Sequence, residues 1–233
     1  MNFNELSKSK KHFSNKPDAA HQTTKKKIIV LLLSVLIISG FTFVAGIVNM
    51  IGVVWIRFFL NGFINLINGA IAFAAMKITK MELDLDFKNY KQYLIGAGIA
   101  VVLSLCVGLL PAVCGNSFIG EHMDYKSWIL VLDFWYFLFI IAPTEELIFR
   151  VYIQDTIISI LPKYKWIAVI ISALLFGLWH WINGFFIQVL FTFGFGLIWG
   201  FAKYCIKNCK YLGLSLSHGL YDFFNIVIRM FVI

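Results

Sequence analysis

The sequence predicts an all-α fold, a polytopic transmembrane helical bundle of about seven to eight spans around a polar cavity. Hydrophobic residues make up 60% of the 233 residues, a share too high for a soluble domain. Several apolar stretches reach the length of about 20 residues that a helix needs to cross a bilayer core. Ionisable residues recur inside these stretches. Because charged groups in hydrocarbon are costly, rare and usually functional, they predict a polar cavity within the bundle.

A basic tail precedes the apolar stretches. Residues 1–27 carry seven lysines, two acidic residues and no apolar run, so we expect a cytoplasmic tail. N-terminal transmembrane helices are expected over residues 28–127, and the part that carries the chemistry over residues 128–233. The predicted spans are 28–54, 58–76, 93–113, 128–160, 166–183, 185–202 and 211–231. Pro143 lies inside the longest of them and should kink it, because proline has no backbone N–H to donate.

The distribution of lysines predicts the orientation. With a cytoplasmic N-terminus, sixteen lysines fall in cytoplasmic segments, whereas the outer segments keep Arg57, Lys126 and Arg229. Such an excess of basic residues marks the cytoplasmic side of membrane proteins. We therefore expect a multi-pass protein of the cell membrane with its C-terminus outside. Because the lysines flank the spans and form no single patch, the expected partner is the lipid bilayer and not nucleic acid. The Ile-, Phe-, Lys- and Asn-rich composition indicates a bacterial plasma membrane.

The fourth predicted span contains two adjacent glutamates. Glu146 and Arg150 are four residues apart with the acid first, the favourable order for an ion pair on one helix face. Neighbouring helical residues point about 100° apart, so we expect Glu145 to stay unpaired. A buried, unpaired carboxyl group is suited to moving protons near neutral pH. Asp133 and Asp155 lie nearer the ends of the span, and we expect them at the membrane interface.

Two later spans carry histidines. His180 ends the run AVIISALLFGLWH and follows Phe176 by four residues, so the phenyl ring could cover the imidazole. His218 and Asp222 are also four apart, which places both side chains on one helix face. Asn225 lies on that same face as a possible auxiliary donor. Together with the glutamates, three spans carry acid–base groups, and we expect them to converge on one cavity.

Three motifs give the sequence a family resemblance. In this order, EELIFR resembles the EExxxR motif, FGLWH the FxxxH motif and HGLYD the Hxxx(N/D) motif of the CPBP family of intramembrane proteases. This family, also called Abi, includes the CAAX prenyl endopeptidases and bacteriocin-processing or self-immunity proteins. The resemblance covers residues from about 128 to 231. It implies an α-helical endopeptidase that hydrolyses a peptide bond in a membrane-associated peptide or protein.

The resemblance also implies roles for individual residues. By motif position, the catalytic residues are Glu145, Glu146, Arg150, His180, His218 and Asp222. Glu145 and His180 would activate a water molecule, and His218 and Asp222 would stabilise the oxyanion. The remaining glutamate and the arginine would support the first motif. Amide hydrolysis needs such a base, together with donors aimed at the developing negative charge.

The sequence leaves the mechanism and the function class open at two points. An ionised Asp222 can only accept hydrogen bonds, so it could act in protonated form, orient His218 or bind a metal. With Glu145 and His180 these residues would form an O/N ligand set for zinc, although catalytic zinc keeps one position open. We assign no cofactor and favour metal-independent hydrolysis. The alternative functions are a non-catalytic bacteriocin-immunity or peptide-binding membrane protein and a proton-coupled transporter.

Overall fold

The structure is a computed structural model that describes residues 16–124 and 126–233. Within these residues, all regular structure is helical and forms seven helices. They are α1 (Lys16–Val48), α2 (Val54–Ile78), α3 (Tyr90–Leu103, continued by Ser104–Leu109 and Leu110–Val113), α4 (Ser127–Tyr136, continued by Phe137–Ile141, Ala142–Glu146, Leu147–Gln154 and Asp155–Ile160), α5 (Lys165–Trp179), α6 (Trp181–Cys205) and α7 (Tyr211–Phe231). Residues 1–15 of the predicted tail lie outside the described residues, and α1 begins before residue 28. The domain boundaries at residues 27 and 127 stay predictions.

Five helical stretches in the described residues are long and apolar enough to cross a membrane. They are Gln22–Val48, Val54–Ile78, Tyr90–Val113, Trp128–Ile160 and Phe186–Cys205. Helix α5 is apolar but shorter. The helical fold class is therefore confirmed, and the apolar helices indicate a membrane protein. The count of seven to eight spans and the orientation stay predictions.

Helix α4 lies at the centre of the bundle, where it packs against α1, α2, α5, α6 and α7. It widens into π-helical turns at Phe137–Ile141 and Leu147–Gln154, on either side of Pro143. Proline lacks an N–H and its ring crowds the carbonyl group four residues earlier, so a regular α-helix cannot run through it unchanged. Where the sequence predicts a kink, the structure has these wider turns.

Side chains of neighbouring helices bind the carbonyl groups of the second wide turn. The Ser172 hydroxyl donates to the Phe149 carbonyl oxygen at 2.6 Å, and Lys203 Nζ donates to the Arg150 carbonyl oxygen at 2.6 Å. Lys203 also donates to the carboxylate of Asp155 at 2.5 Å. These bonds satisfy buried backbone acceptors, and they fix α4 to α5 and α6 next to the glutamates.

Glycine residues allow α3 and α7 to pack with their backbones in contact. A Cβ atom at Gly96 would overlap the carbonyl oxygen of Gly213, and one at Gly213 would overlap the carbonyl oxygen of Gln92. The Gly213 N–H donates to Gln92 Oε1 at 3.3 Å. Because the neighbouring atoms are backbone, no side-chain rotation could relieve such an overlap. Helix α3 therefore fixes the position of α7, which carries His218.

Candidate active site

The predicted site residues lie together, on and below one cavity of about 720 Å³. This volume is within the usual range of ligand pockets. Of the predicted site residues, Glu145, His180, His218 and Asp222 line the cavity. Glu146 and Arg150 lie behind them, both fully buried. Packing thus brings residues from α4, the α5–α6 corner and α7 to one place.

Glu145 faces two imidazole rings. Its Oε2 atom lies 4.0 Å from His180 Nε2 and 3.8 Å from His218 Nε2. Both distances are too long for a direct hydrogen bond, and Oε2 accepts none from the residues that the structure describes. The side chain is nevertheless buried, with 6% of the residue exposed. Glu145 therefore presents a carboxyl oxygen to the two rings without a direct hydrogen bond to either of them.

In Glu146, in contrast, each of the two carboxylate oxygens lies close to a nitrogen of a neighbouring side chain. Oε2 lies 3.3 Å from Arg150 Nε, so the predicted ion pair is confirmed. Oε1 lies 2.9 Å from His218 Nδ1. The arginine carbon Cζ lies 4.3 Å from the centre of the Phe176 ring, a geometry in which the aromatic face stabilises the cation. The two buried charges thus offset each other, although the guanidinium nitrogens of Arg150 form no hydrogen bond with the described residues.

The backbone holds His180 in one orientation. Nδ1 lies 2.8 Å from the carbonyl oxygen of Phe176. A carbonyl oxygen only accepts hydrogen bonds, so Nδ1 carries the hydrogen, and a neutral ring has its lone pair on Nε2, towards Glu145. The Phe176 ring packs edge-on against the imidazole with centroids 4.8 Å apart, as predicted. Helix α5 ends at Trp179, so His180 lies at the corner before α6.

His218 lies between carboxylates and an indole ring. Its Nε2 is 3.4 Å from Asp222 Oδ2. The ring stacks on Trp199, with centroids 4.1 Å apart and 26° between the planes. The indole N–H of Trp199 donates to the Ser217 hydroxyl at 3.0 Å. Trp199 was not among the predicted site residues, because a tryptophan in an apolar helix outside the three motifs carries no signal of its own.

The membrane-interface position expected for Asp155 and for Asp133 stays a prediction, but the structure turns Asp133 into the bundle. This residue is 5% exposed and lines the cavity, together with Tyr136. Asp133 lies in the second turn of α4, which begins at Ser127, on the face that turns towards the cavity. Asn61 and Asn65 of α2 line the same cavity. These two asparagines were not predicted either, because the tertiary packing of α2 decides which of its faces lines the cavity.

The side chains of a zinc site are present in the cavity, but they are spaced more widely than zinc ligands. Ligands of a tetrahedral zinc ion at about 2.0–2.1 Å lie about 3.3 Å apart. The nitrogens of His180 and His218 lie 4.0 and 3.8 Å from Glu145 Oε2. In the described part of the chain, no three His, Cys, Asp or Glu side chains are arranged so that they could hold a metal ion. The residue types suit zinc but their separations are wider than those around a bound zinc ion, and metal-independent hydrolysis stays a prediction.

The comparison with known families concerns the second half of the chain. Residues 127–224 match the family model described as type II CAAX prenyl endopeptidase Rce1-like. The matched segment contains all three motifs. No curated protein and no solved structure matches the chain. The match confirms the family that the motifs indicate, the CPBP family of CAAX-type proteases, over residues 127–224.

Proposed function

We propose that this chain is an intramembrane endopeptidase that hydrolyses a peptide bond in a membrane-associated peptide or protein. The observation that carries the proposal is Glu145, a buried carboxyl group that faces two imidazole rings in one cavity and forms a direct hydrogen bond with neither. The match to a protease family supports the type of reaction. As part of the proposal, the protein is a multi-pass protein of a bacterial plasma membrane with a cytoplasmic N-terminus.

Glu145 and His180 activate the attacking water. Their separation of 4.0 Å is longer than a hydrogen bond and short enough for one water molecule to bridge. Such a water donates one hydrogen to Glu145 Oε2 and the other to the unprotonated Nε2 of His180. As the water oxygen forms its bond to the scissile carbonyl carbon, Glu145 takes the proton as general base.

His218 stabilises the oxyanion that this attack creates. Its Nδ1 is held by Glu146, so Nε2 faces the cavity, and the imidazolium form donates from that atom to the negative oxygen. Asp222, 3.4 Å from Nε2, orients the ring and balances its charge. When the intermediate collapses, the C–N bond breaks and Glu145 returns its proton to the leaving amine. The carboxylate is then restored for the next cycle.

Glu146 and Arg150 act as positioning residues. Arg150 neutralises Glu146, and Glu146 in turn holds His218 Nδ1 at 2.9 Å. A fixed orientation of the ring matters, because donors must point at the position where charge develops. This arrangement assigns different tasks to the two glutamates: the first reacts with the water, and the second orients a histidine.

The Glu145→Gln variant tests the proposal. Glutamine keeps the shape and hydrogen-bonding capacity of the side chain but cannot act as a base, so cleavage should fall about 10²- to 10⁴-fold. The fold should persist, because a neutral amide is cheaper to bury than a carboxylate. The measurement is mass spectrometry of membrane peptides from cells with the wild type or the variant. Glu82→Gln, at an exposed position outside the cavity, is the matched control.

The same assay separates the alternatives. If the products of wild type and Glu145→Gln are equal, glutamate-driven hydrolysis is wrong. If the wild type yields no product, the peptide-binding or immunity alternative is favoured, and proton flux through liposomes then tests the transporter. We expect wild-type cleavage to survive a metal chelator. Loss of activity that zinc restores would replace this mechanism with a metal-dependent one.

A further inference from the structure

Trp199 of α6 lies outside the three motifs but beside one residue of each of them. The Cζ carbon of Arg150, in the first motif, lies 5.7 Å from the centre of the indole ring. The ring of Phe176, in the second motif, approaches the indole edge-on with centroids 6.3 Å apart. His218, which begins the third motif, stacks on the indole with centroids 4.1 Å apart. Trp199 is therefore buried at the place where the three motif segments meet.

Hydrogen bonds fix the orientation of the indole. Its N–H donates to the hydroxyl of Ser217, the fully buried residue that precedes the third motif in α7. In the next turn of α6, the Gly200 carbonyl oxygen accepts a hydrogen bond from Gln154 Nε2 at 3.2 Å. Lys203 Nζ donates to the Arg150 carbonyl oxygen at 2.6 Å. These bonds fix α6 to α4 and the edge of the indole to α7, so the plane of the ring does not depend on apolar packing alone.

The imidazole of His218 is held at one edge and on one face. Its Nδ1 atom lies 2.9 Å from Glu146 Oε1, which holds the edge. A single hydrogen bond leaves the ring free to tilt about it. Such a tilt would move Nε2 away from its position 3.8 Å from Glu145 Oε2. The indole plane, 26° from that of the imidazole, blocks the tilt towards Trp199. Trp199 therefore contributes to the direction in which Nε2 points.

The same contact favours a positive charge on His218. In the proposed mechanism, the imidazolium form of this residue donates a hydrogen bond to the oxyanion. The face of an aromatic ring carries negative charge density, and it attracts a cation that lies over it. Among aromatic side chains tryptophan gives the strongest attraction, and the attraction grows when water is excluded. A neutral imidazole has no net charge to gain from it. The buried indole is therefore suited to the charged state that the reaction uses.

We propose that Trp199 is a positioning residue for hydrolysis, which holds the plane of the His218 ring and stabilises its imidazolium form while the oxyanion develops. The inference rests on the proposed peptidase function, and it adds a residue that the three motifs do not contain. Trp199 acts through His218, and the oxyanion exists only once the water has attacked. Loss of the indole should therefore slow the chemical step, which lowers kcat, and leave KM unchanged.

NMR tests the stacking without any need for cleavage. Full-length protein with isotope-labelled histidine, in detergent micelles, gives one ring Cε1–H signal for each of the five histidines, and His218→Gln identifies the signal of His218. The ring current of the indole should shift this signal upfield. Trp199→Leu should remove the upfield shift, and Trp199→Phe should retain part of it. Phe201→Leu, at an exposed position of α6 outside the cavity, should leave the signal in place. An unchanged His218 signal in Trp199→Leu would overturn the inference.

Kinetics test the effect on the reaction. The probe is a synthetic peptide that spans the bond whose cleavage is lost in Glu145→Gln membranes, with a fluorophore and a quencher on either side of the bond. Rates are divided by the folded fraction of each sample. Trp199→Leu should lower kcat about 3- to 30-fold with KM unchanged, the range that corresponds to loss of a cation–π contact. Trp199→Phe keeps an aromatic face and should lose less than Trp199→Leu. Phe201→Leu should match the wild type.

The outcomes separate this inference from the peptidase function. If Trp199→Phe loses as much kcat as Trp199→Leu, the aromatic face is not the group that acts. If KM rises while kcat stays unchanged, Trp199 contributes to substrate binding and not to the orientation of His218. Either result overturns the inference and leaves the peptidase intact, because the wild type still cleaves the probe. A wild type that cleaves no peptide contradicts the peptidase, and with it the catalytic effect of Trp199, whereas the NMR signal still reports the stacking.

Discussion

Helices α1 to α3 and helices α4 to α7 bury different kinds of polar groups. Ser34, Asn68 and Gln92 are buried in the first group, and all three are uncharged. In the second group, Glu146 and Arg150 are fully buried and charged, next to the two histidines of the cavity. The first group therefore supports and lines the site, whereas the second contains the reacting groups. The family match covers only the second group, although the structure of the site depends on both.

Substitution of a buried charge in the second group should have the largest effect on stability. Arg150→Met leaves Glu146 without its cation in a site that is closed to water. Breaking one partner of a buried pair costs about 3–5 kcal/mol. We expect the free energy of unfolding to fall by this amount in detergent-solubilised protein, measured by thermal or denaturant unfolding.

A double variant shows whether the charge or the volume is responsible. Glu146→Gln combined with Arg150→Met removes both charges, so it should be more stable than Arg150→Met alone. If the single and double variants unfold alike, the loss comes from packing around the arginine. The difference between the two groups of helices would then not be one of charge.

A substitution in α3 tests the contact between the two groups of helices, at the place where α3 packs against α7. Gly96→Ala adds a Cβ that overlaps the Gly213 backbone, so α3 and α7 must move apart. Such overpacking typically costs about 1–3 kcal/mol, and cleavage should fall as well, because α7 carries His218. Gly98→Ala is the matched control: a Cβ there meets no atom within 4 Å. Equal activity in both variants would show that α3 does not position the site.

The smallest effect is expected where α1 contacts α4. The oxygens of Ser34 and Tyr152 form a buried hydrogen bond of 2.6 Å. Ser34→Ala removes it and should lower the free energy of unfolding by about 1 kcal/mol. Ser39→Ala removes an exposed hydroxyl that bonds only within α1, and unfolding should be unchanged. If the Ser34→Ala variant is as stable as this control, the hydrogen bond between α1 and α4 does not contribute to the free energy of unfolding.

The sequence predicted the helices and the motifs better than the packing between them. Apolar length located every helix, and i,i+4 spacing predicted the ion pair of Glu146 with Arg150, because these signals are local. The burial of Asp133, the stacking of Trp199 on His218 and the asparagines of α2 depend on how helices cross. Crossing geometry is set by contacts between residues distant in the chain, such as Gly96 with Gly213, which no local pattern specifies.

His218 lies between two glutamates, so the effects of substituting either glutamate on activity are linked. One nitrogen of the ring bonds Glu146, while the other lies 3.8 Å from Glu145. A change at either carboxylate therefore alters the environment of the same imidazole. Effects of residues that act as a unit are strongly non-additive. Activity lost in single variants of Glu145 and Glu146 will therefore include a shared coupling energy, which only the double variant measures.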